Sequence, residues 1–145
     1  MQIVPYLNFD GRCAEAFRFY ELVLGGKLEL LTHDNTPMAG DVPPGWGDRV
    51  LHACLTVGDQ TLMASDTPPD QHAAPRGIYV SLHVDRTEEA ERIFGALADQ
   101  GQVTMPLEPT FWADRFGICV DRFGTPWMIN CSVPAERREA SAAAH

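Results

Sequence analysis

The sequence has no apolar run approaching the roughly 20 residues that a membrane-crossing helix needs. Its N-terminus, Met1-Gln2-Ile3-Val4-Pro5, has no basic stretch followed by a long apolar segment, so no secretory leader is expected. Basic residues are scarce, with Lys+Arg 11 against Asp+Glu 20 and a net charge of -9. Such a surface repels phosphate backbones and anionic bilayers, so neither a nucleic acid nor a membrane is expected as a partner. Cysteines are few and scattered, at Cys13, Cys54, Cys119 and Cys131, with no CxxC among them. That spacing fits neither a zinc knuckle nor a dense disulfide framework. Four reduced thiols in a cytoplasmic protein are the expectation. Also missing are a GxSxG elbow, an HxH or HExxH motif and any 2-His-1-carboxylate spacing.

What is present is ordinary globular composition: 145 residues, 45% hydrophobic and 21% charged. That length predicts one domain able to bury a core without a disulfide or metal staple. Ile3 to Phe9 reads as a strand ending at Asp10-Gly11. Cys13, Phe17, Tyr20 and Leu24 then recur at helical spacing, with Asp10 as expected N-cap and Gly25-Gly26 as stop. Lys27 to Thr32 reads as a strand. Asp34 to Asp48 holds three prolines and three glycines and reads as a long loop. Val50 to Val57 and Thr61 to Ala64 read as strands joined at Gly58-Asp59, and Ser65 to Arg76 as a proline-containing surface connection. The second half opens with a strand, Ile78 to Val84. A helical stripe follows at Ala90, Ile93, Phe94, Leu97 and Ala98, with Asp85 or Thr87 as cap and Gly101 as stop. Strands are expected at Val103 to Leu107, Phe111 to Val120 and Trp127 to Ser132, then a polar tail.

The halves repeat. An offset of 75 residues pairs Leu7 with Leu82, Asp10 with Asp85, Phe19 with Phe94, Gly26 with Gly101 and Leu28 with Val103. Towards the module ends an offset of 65 pairs Leu62 with Trp127, Met63 with Met128 and Ser65 with Asn130. The expected fold is therefore α+β: duplicated βαβββ modules forming a curved, cup-shaped mixed sheet with helices on the convex side. Residues 1-133 are expected to make a single domain, as module one (about 1-66), a connection (67-76) and module two (77-133), with a flexible tail at 134-145.

Several segments resemble the vicinal oxygen chelate superfamily of glyoxalase, bleomycin resistance and dioxygenase proteins, and within it the PhnB-like branch. They are Pro5-Tyr6-Leu7 with Phe9, Ala14-Glu15-Ala16 with Phe19-Tyr20, His52-Ala53, Leu62-Met63-Ala64-Ser65-Asp66, Thr110-Phe111-Trp112-Ala113, and Asp121-Arg122-Phe123-Gly124-Thr125-Pro126-Trp127-Met128-Ile129-Asn130. The resemblance implies a cytoplasmic homodimer with small-molecule sites in the cups, but no particular reaction. Methyltransferase activity, a name some members of the branch carry, is not expected. The chain has no glycine-rich strand-to-helix turn for a nucleotide-like cofactor, and its strand order cannot build a doubly wound sheet.

In the metal-dependent relatives one His or Glu ligand comes from each of the first, fourth, fifth and eighth strands. Here those strands offer Val4, Tyr6 and Asn8; Met63 and Ser65; Tyr79, Ser81 and His83; and Met128 and Asn130. His83 lies towards its strand's end and is set aside. The remaining neutral donors are weak, so neither a metal nor another cofactor is expected. The expected ligand-binding residues are Tyr6, His52, Met63, Ser65, Trp112, Phe116, Met128 and Asn130. Their aromatic rings and thioethers suit a partly apolar small molecule, with hydroxyl, amide and imidazole tips to orient it. Met63 and Met128 could instead pack beneath Phe17 and Phe94. Two function classes remain: a metal-free small-molecule binding protein, or a superfamily enzyme of lyase, isomerase or transferase type.

Overall fold

A computed structural model describes residues 1–37 and 39–132, except the side chain of Asp41; the expected polar tail lies outside the described residues. Two compact units divide the chain, Met1–Ala74 and one starting at Pro75. The first runs β1 (Tyr6–Phe9), α1 (Cys13–Leu24), β2 (Lys27–Thr32), β3 (Val50–Val57) and β4 (Gln60–Asp66). The second repeats it as β5 (Val80–Val84), α2 (Thr87–Ala98), β6 (Gln102–Glu108), β7 (Ala113–Val120) and β8 (Pro126–Ser132). Each unit has a four-stranded mixed sheet, ordered β1-β4-β3-β2 and β5-β8-β7-β6, with one parallel pair, β1–β4 or β5–β8. The duplicated βαβββ order read from the sequence is thus the order of the chain. Among the described residues, no helix is long and apolar enough to cross a membrane.

The repeat holds at the level of single residues. Tyr6 pairs with Met63 and Asn8 with Ser65; Ser81 pairs with Met128 and His83 with Asn130. These are the partners that the offsets of 75 and 65 require. The change of offset falls in the β2–β3 connection, 33–49, whose counterpart between β6 and β7 is only 109–112. Both units also turn from helix to strand at an equivalent glycine. A Cβ on Gly26 would run into the Thr56 carbonyl, and one on Gly101 into the Val120 carbonyl. Only glycine lets the two backbones approach that closely.

Helix α1 buries Cys13, Ala16, Phe17, Tyr20 and Val23 against its sheet. Leu24, expected on that face, is only half-buried. The chain leaves the helix at Gly25 (φ 79°), so the last turn's burial falls to Val23. Helix α2 buries Ala90, Ile93, Phe94 and Leu97. Trp127 and Ile129 are fully buried in the second unit, so Trp127 belongs to the core.

The helix caps differ from those expected. Asp10 is exposed and does not cap α1; Arg12 holds the N-cap position but its side chain does not cap the helix. The carboxylate comes instead from the far end of β4. Asp66 Oδ1 accepts from Gly11 N (2.9 Å) and Cys13 N (3.0 Å), and Asp66 Oδ2 accepts from Val50 N (2.9 Å). At α2 the N-cap position is Arg86, and no side chain of Asp85 or Thr87 caps it. A bulge makes the Val50 contact possible. Leu31 pairs with His52 but Thr32 with Val50, so Leu51 is the extra residue. Without it, Val50 and Ala53, three apart, would face opposite ways; with it both are buried.

All four cysteines are free. Burial pushes the Cys13 thiol far up, with the Asp66 carboxylate adding to it. Burial, then Asp121, pushes Cys119 up to about 11. Cys131 is raised in the same direction, first by burial and next by Asp114. These three thiols stay protonated and packed, as core residues do.

Asp66→Ala should leave three backbone donors without their acceptor. With roughly 1–3 kcal/mol for each buried group so orphaned, a loss of about 3 kcal/mol or more is expected in urea unfolding, and a fall below 1 kcal/mol would refute the clamp.

Candidate functional site

In each unit the helix covers one sheet face and leaves the other open. Along β4, buried Leu62, Ala64 and Asp66 alternate with half-buried Thr61, Met63 and Ser65. Strand alternation therefore puts Met63 and Ser65 on the open face. In β8 Met128 is half-buried between Trp127 and Ile129, both fully buried. Gly117 marks the helix face of β7, since a Cβ there would meet the Phe94 ring; Phe116 and Ile118 point the other way. Packing beneath Phe17 and Phe94, the alternative for the methionines, is thereby excluded.

On the first unit's open face Tyr6, Met63, Cys54 and Glu29 form one row across β1, β4, β3 and β2. Asn8 and Ser65 form the next, which His52 and Leu31 continue. The Tyr6 hydroxyl and His52 Nδ1 are hydrogen-bonded at 3.1 Å, and their rings stack at 5.8 Å. The Ser65 hydroxyl donates to Asn8 Oδ1 at 3.3 Å. Tyr6, His52, Met63 and Ser65 thus share one patch.

The second unit's rows are Ser81, Met128, Ile118 and Met105, then His83, Asn130, Phe116 and Glu108. Asn130 Nδ2 lies 3.3 Å from His83 Nδ1 and donates to the Ser132 hydroxyl at 3.0 Å. His83 Nε2 lies 3.1 Å from Ser81 Oγ. Trp112 meets Phe116 edge-on at 5.4 Å and Phe111 at 4.9 Å. Phe111 is 93% exposed and Trp112 43%. Trp112, Phe116, Met128 and Asn130 therefore also share a patch, joined by Ser81, His83 and Phe111.

Asn8, Ser81, His83 and Phe111 were left out of the binding set expected from the sequence. Asn8 and His83 are partners at offset 75, just as Ser65 and Asn130 are at offset 65. Applying both offsets together would have set His83 beside Asn130. His83 does stand next to the end of β5 (Val80–Val84), yet it is paired there with Asn130. Phe111 was read as the start of a strand, but β7 begins at Ala113 and leaves the ring exposed in the loop before it. His33 is buried, at 8% exposure.

The donor set does not fit a transition metal. At the four strand positions of the metal-dependent relatives, His83 is the one strong donor, and both its nitrogens are already hydrogen-bonded. Asn8, Ser65 and Asn130 offer neutral amide and hydroxyl groups, which hold such ions poorly. The open-face positions of these strands contain Glu29 and Glu108 but, apart from the edge residue Lys27, no Lys or Arg. Arg115 is on the helix side, paired with Glu91 of α2 at 3.3 Å.

Comparison with known proteins follows the same lines. Residues 2–129 match the model of the Glyoxalase/Bleomycin resistance protein/Dioxygenase superfamily. Protein YjdN of Escherichia coli is 34% identical over 139 residues, 90% of this chain and 95% of its own. The crystal structure of protein PA1353 from Pseudomonas aeruginosa superposes with a TM-score of 0.84 at 50% identity, covering 91% of this chain and 98% of that one. The PhnB protein from Bacillus cereus shares the fold, with a TM-score of 0.74 at 24% identity over 91% of this chain and all (100%) of its own.

The alternation makes a direct prediction. Met128→Lys should melt within a few degrees of wild type, because the ammonium can reach solvent from the open face. Ile129→Lys, one residue on, should unfold the chain, since burying an unpaired charge costs several kcal/mol. Equal losses for both in thermal melts would move Met128 into the core.

Proposed function

Because the chain belongs to the glyoxalase/bleomycin resistance protein/dioxygenase superfamily, we propose that it is a PhnB-like, metal-free small-molecule binding protein. Ligand contacts are proposed on each unit's own open face: Tyr6, His52, Met63 and Ser65 in the first, and Trp112, Phe116, Met128 and Asn130 in the second. The observation that carries this reading is the state of His83. The one strong donor at the family's metal positions has both nitrogens turned to neighbouring side chains. What remains on each face is an apolar wall of rings and thioethers with a hydroxyl–imidazole pair, suited to hold and orient a small organic molecule. We read residues 1-133 as one domain, with module one at about 1-66, a connection at 67-76 and module two at 77-133.

A thermal-shift screen of small molecules should yield ligands whose binding survives dialysis against a chelator. Recovery of about one transition-metal equivalent, lost to chelator together with ligand binding, would overturn the metal-free reading.

One observation favours an enzyme as the second reading. The Tyr6 phenol and His52 imidazole at 3.1 Å can pass a proton between them and on to a bound substrate. Turnover abolished by both Tyr6→Phe and His52→Gln would put chemistry in the first unit.

We place the protein in the cytoplasm as a homodimer, on the support of its free thiols and its exposed sheet edges. Strand β6 has β7 as its one sheet neighbour and exposes Val103 and Met105, the kind of edge that pairing covers. Light scattering at micromolar concentration should return twice the 16.0 kDa chain mass; a monomer mass would refute the dimer.

A further inference from the structure

The polar cluster on the second unit's open face has a defined direction of hydrogen bonding. An amide NH2 group only donates. Asn130 Nδ2 gives one hydrogen to the Ser132 hydroxyl and has its other for His83 Nδ1. Nδ1 must then hold the lone pair, and the ring proton sits on Nε2. Nε2 donates to Ser81 Oγ at 3.1 Å. Because Nε2 carries the proton of that bond, the Ser81 hydrogen cannot go to it, and with no other acceptor among the described residues it is left for one outside the protein. The chain of donors runs from Asn130 through His83 and Ser81 to the ligand.

That acceptor's charge follows from its surroundings. The imidazole in this arrangement is neutral. The open-face positions of β5–β8 include Glu108 and no Lys or Arg, and the protein bears a net charge of -9. An anionic oxygen would find no countercharge there, whereas a neutral carbonyl oxygen needs only the hydrogen. The ligand's body is set by the rings. Phe116 lies on β7 and Ser81 on β5, with β8 between them. Two strand spacings are about 10 Å, roughly the reach of a fused two-ring skeleton with its substituent. Trp112 and Phe111 extend the aromatic wall beyond Phe116.

We propose that the face built by Ser81, His83, Asn130, Phe116 and Trp112 binds a neutral planar aromatic carbonyl compound, its oxygen taking the Ser81 hydroxyl hydrogen and its rings lying on the aromatic cluster. This rests on the binding reading above and gives it a ligand class. The unit's counterpart face cannot do the same. The positions equivalent to Ser81 and His83 are Tyr6 and Asn8, and its imidazole, His52, sits on β3 instead.

Two measurements test it on the full-length protein. Long-range proton–nitrogen NMR should show His83, assigned by its loss in His83→Gln, as the neutral Nε2–H tautomer. Titration should then show 2-acetylnaphthalene binding at least tenfold tighter than 2-ethylnaphthalene, which has the rings without the carbonyl, and tighter than the anionic 2-naphthoate. Ser81→Ala, an exposed change that leaves the fold intact, should erase the ketone's advantage while the hydrocarbon binds as before. Asn130→Asp should move the proton to Nδ1 and erase it too. An Nδ1–H ring in the wild type, equal binding of ketone and hydrocarbon, preference for the naphthoate, or an unchanged ketone advantage in Ser81→Ala would each overturn the proposal. If both naphthalenes bind equally and Met128→Lys removes both, the relay fails but the open-face binding reading stands. If the screen and both naphthalenes give no binding that Met128→Lys removes, that wider reading fails as well.

Discussion

A single carboxylate organises the first unit. Asp66 ends β4, the strand that also pairs with β1 and β3, and its two oxygens bind the entry to α1 and the first residue of β3. Three segments far apart in the chain are therefore held at one point. Each bond is of the charge-assisted kind, to a backbone amide that would otherwise be stranded in the core. The orientation of α1 on its sheet follows, and with it which sheet face is covered and which is left for a ligand. Asp121 does a related job in the second unit. Its oxygens accept from the amides of Phe123 and Thr125 and from the Trp127 indole, so it shapes the β7–β8 turn and seats the largest core side chain together.

The two units share a register but not a surface chemistry. Residues on the helix faces keep their apolar character, because packing against a helix tolerates little else. The open faces have diverged. Tyr6 stands where Ser81 does, Asn8 where His83 does, and Ser65 where Asn130 does. Each face nonetheless carries one imidazole bonded to one hydroxyl, reached from different strands. Faces so unlike suit different ligand chemistries on one duplicated scaffold.

Much of this was legible in the sequence. The helices were readable from their apolar stripes and the duplication from two offsets; Gly25 ends α1 as expected, whereas α2 ends at Ala98, with Gln100 and not Gly101 in the left-handed conformation. The methionines' side stayed open in the sequence and is decided by the burial of Leu62, Ala64, Trp127 and Ile129. Long-range substitution for a local signal accounts for most of what was not. Asp10 had the ordinary look of a cap, but Asp66, more than fifty residues on, takes its place. Nothing local in Leu51 marks it as a bulge, since its parity is set by partners on β2 and by the pull of Asp66 on Val50. His83 was passed over for its place near a strand end, although its role depends on the strand beside it.

The β2–β3 connection is where the units differ most in length, and its ends are tied to each other. His33 N donates to the Arg49 carbonyl at 3.2 Å and Asp34 N to the Gly47 carbonyl at 2.9 Å. Beyond those two bonds the chain leaves and returns at one spot, like a stitch drawn closed at its base. Length added or removed between 35 and 46 changes the closure entropy only logarithmically and transmits no shift to β2 or β3. Evolution, or an engineer, has there a place to graft new chain beside an unaltered sheet.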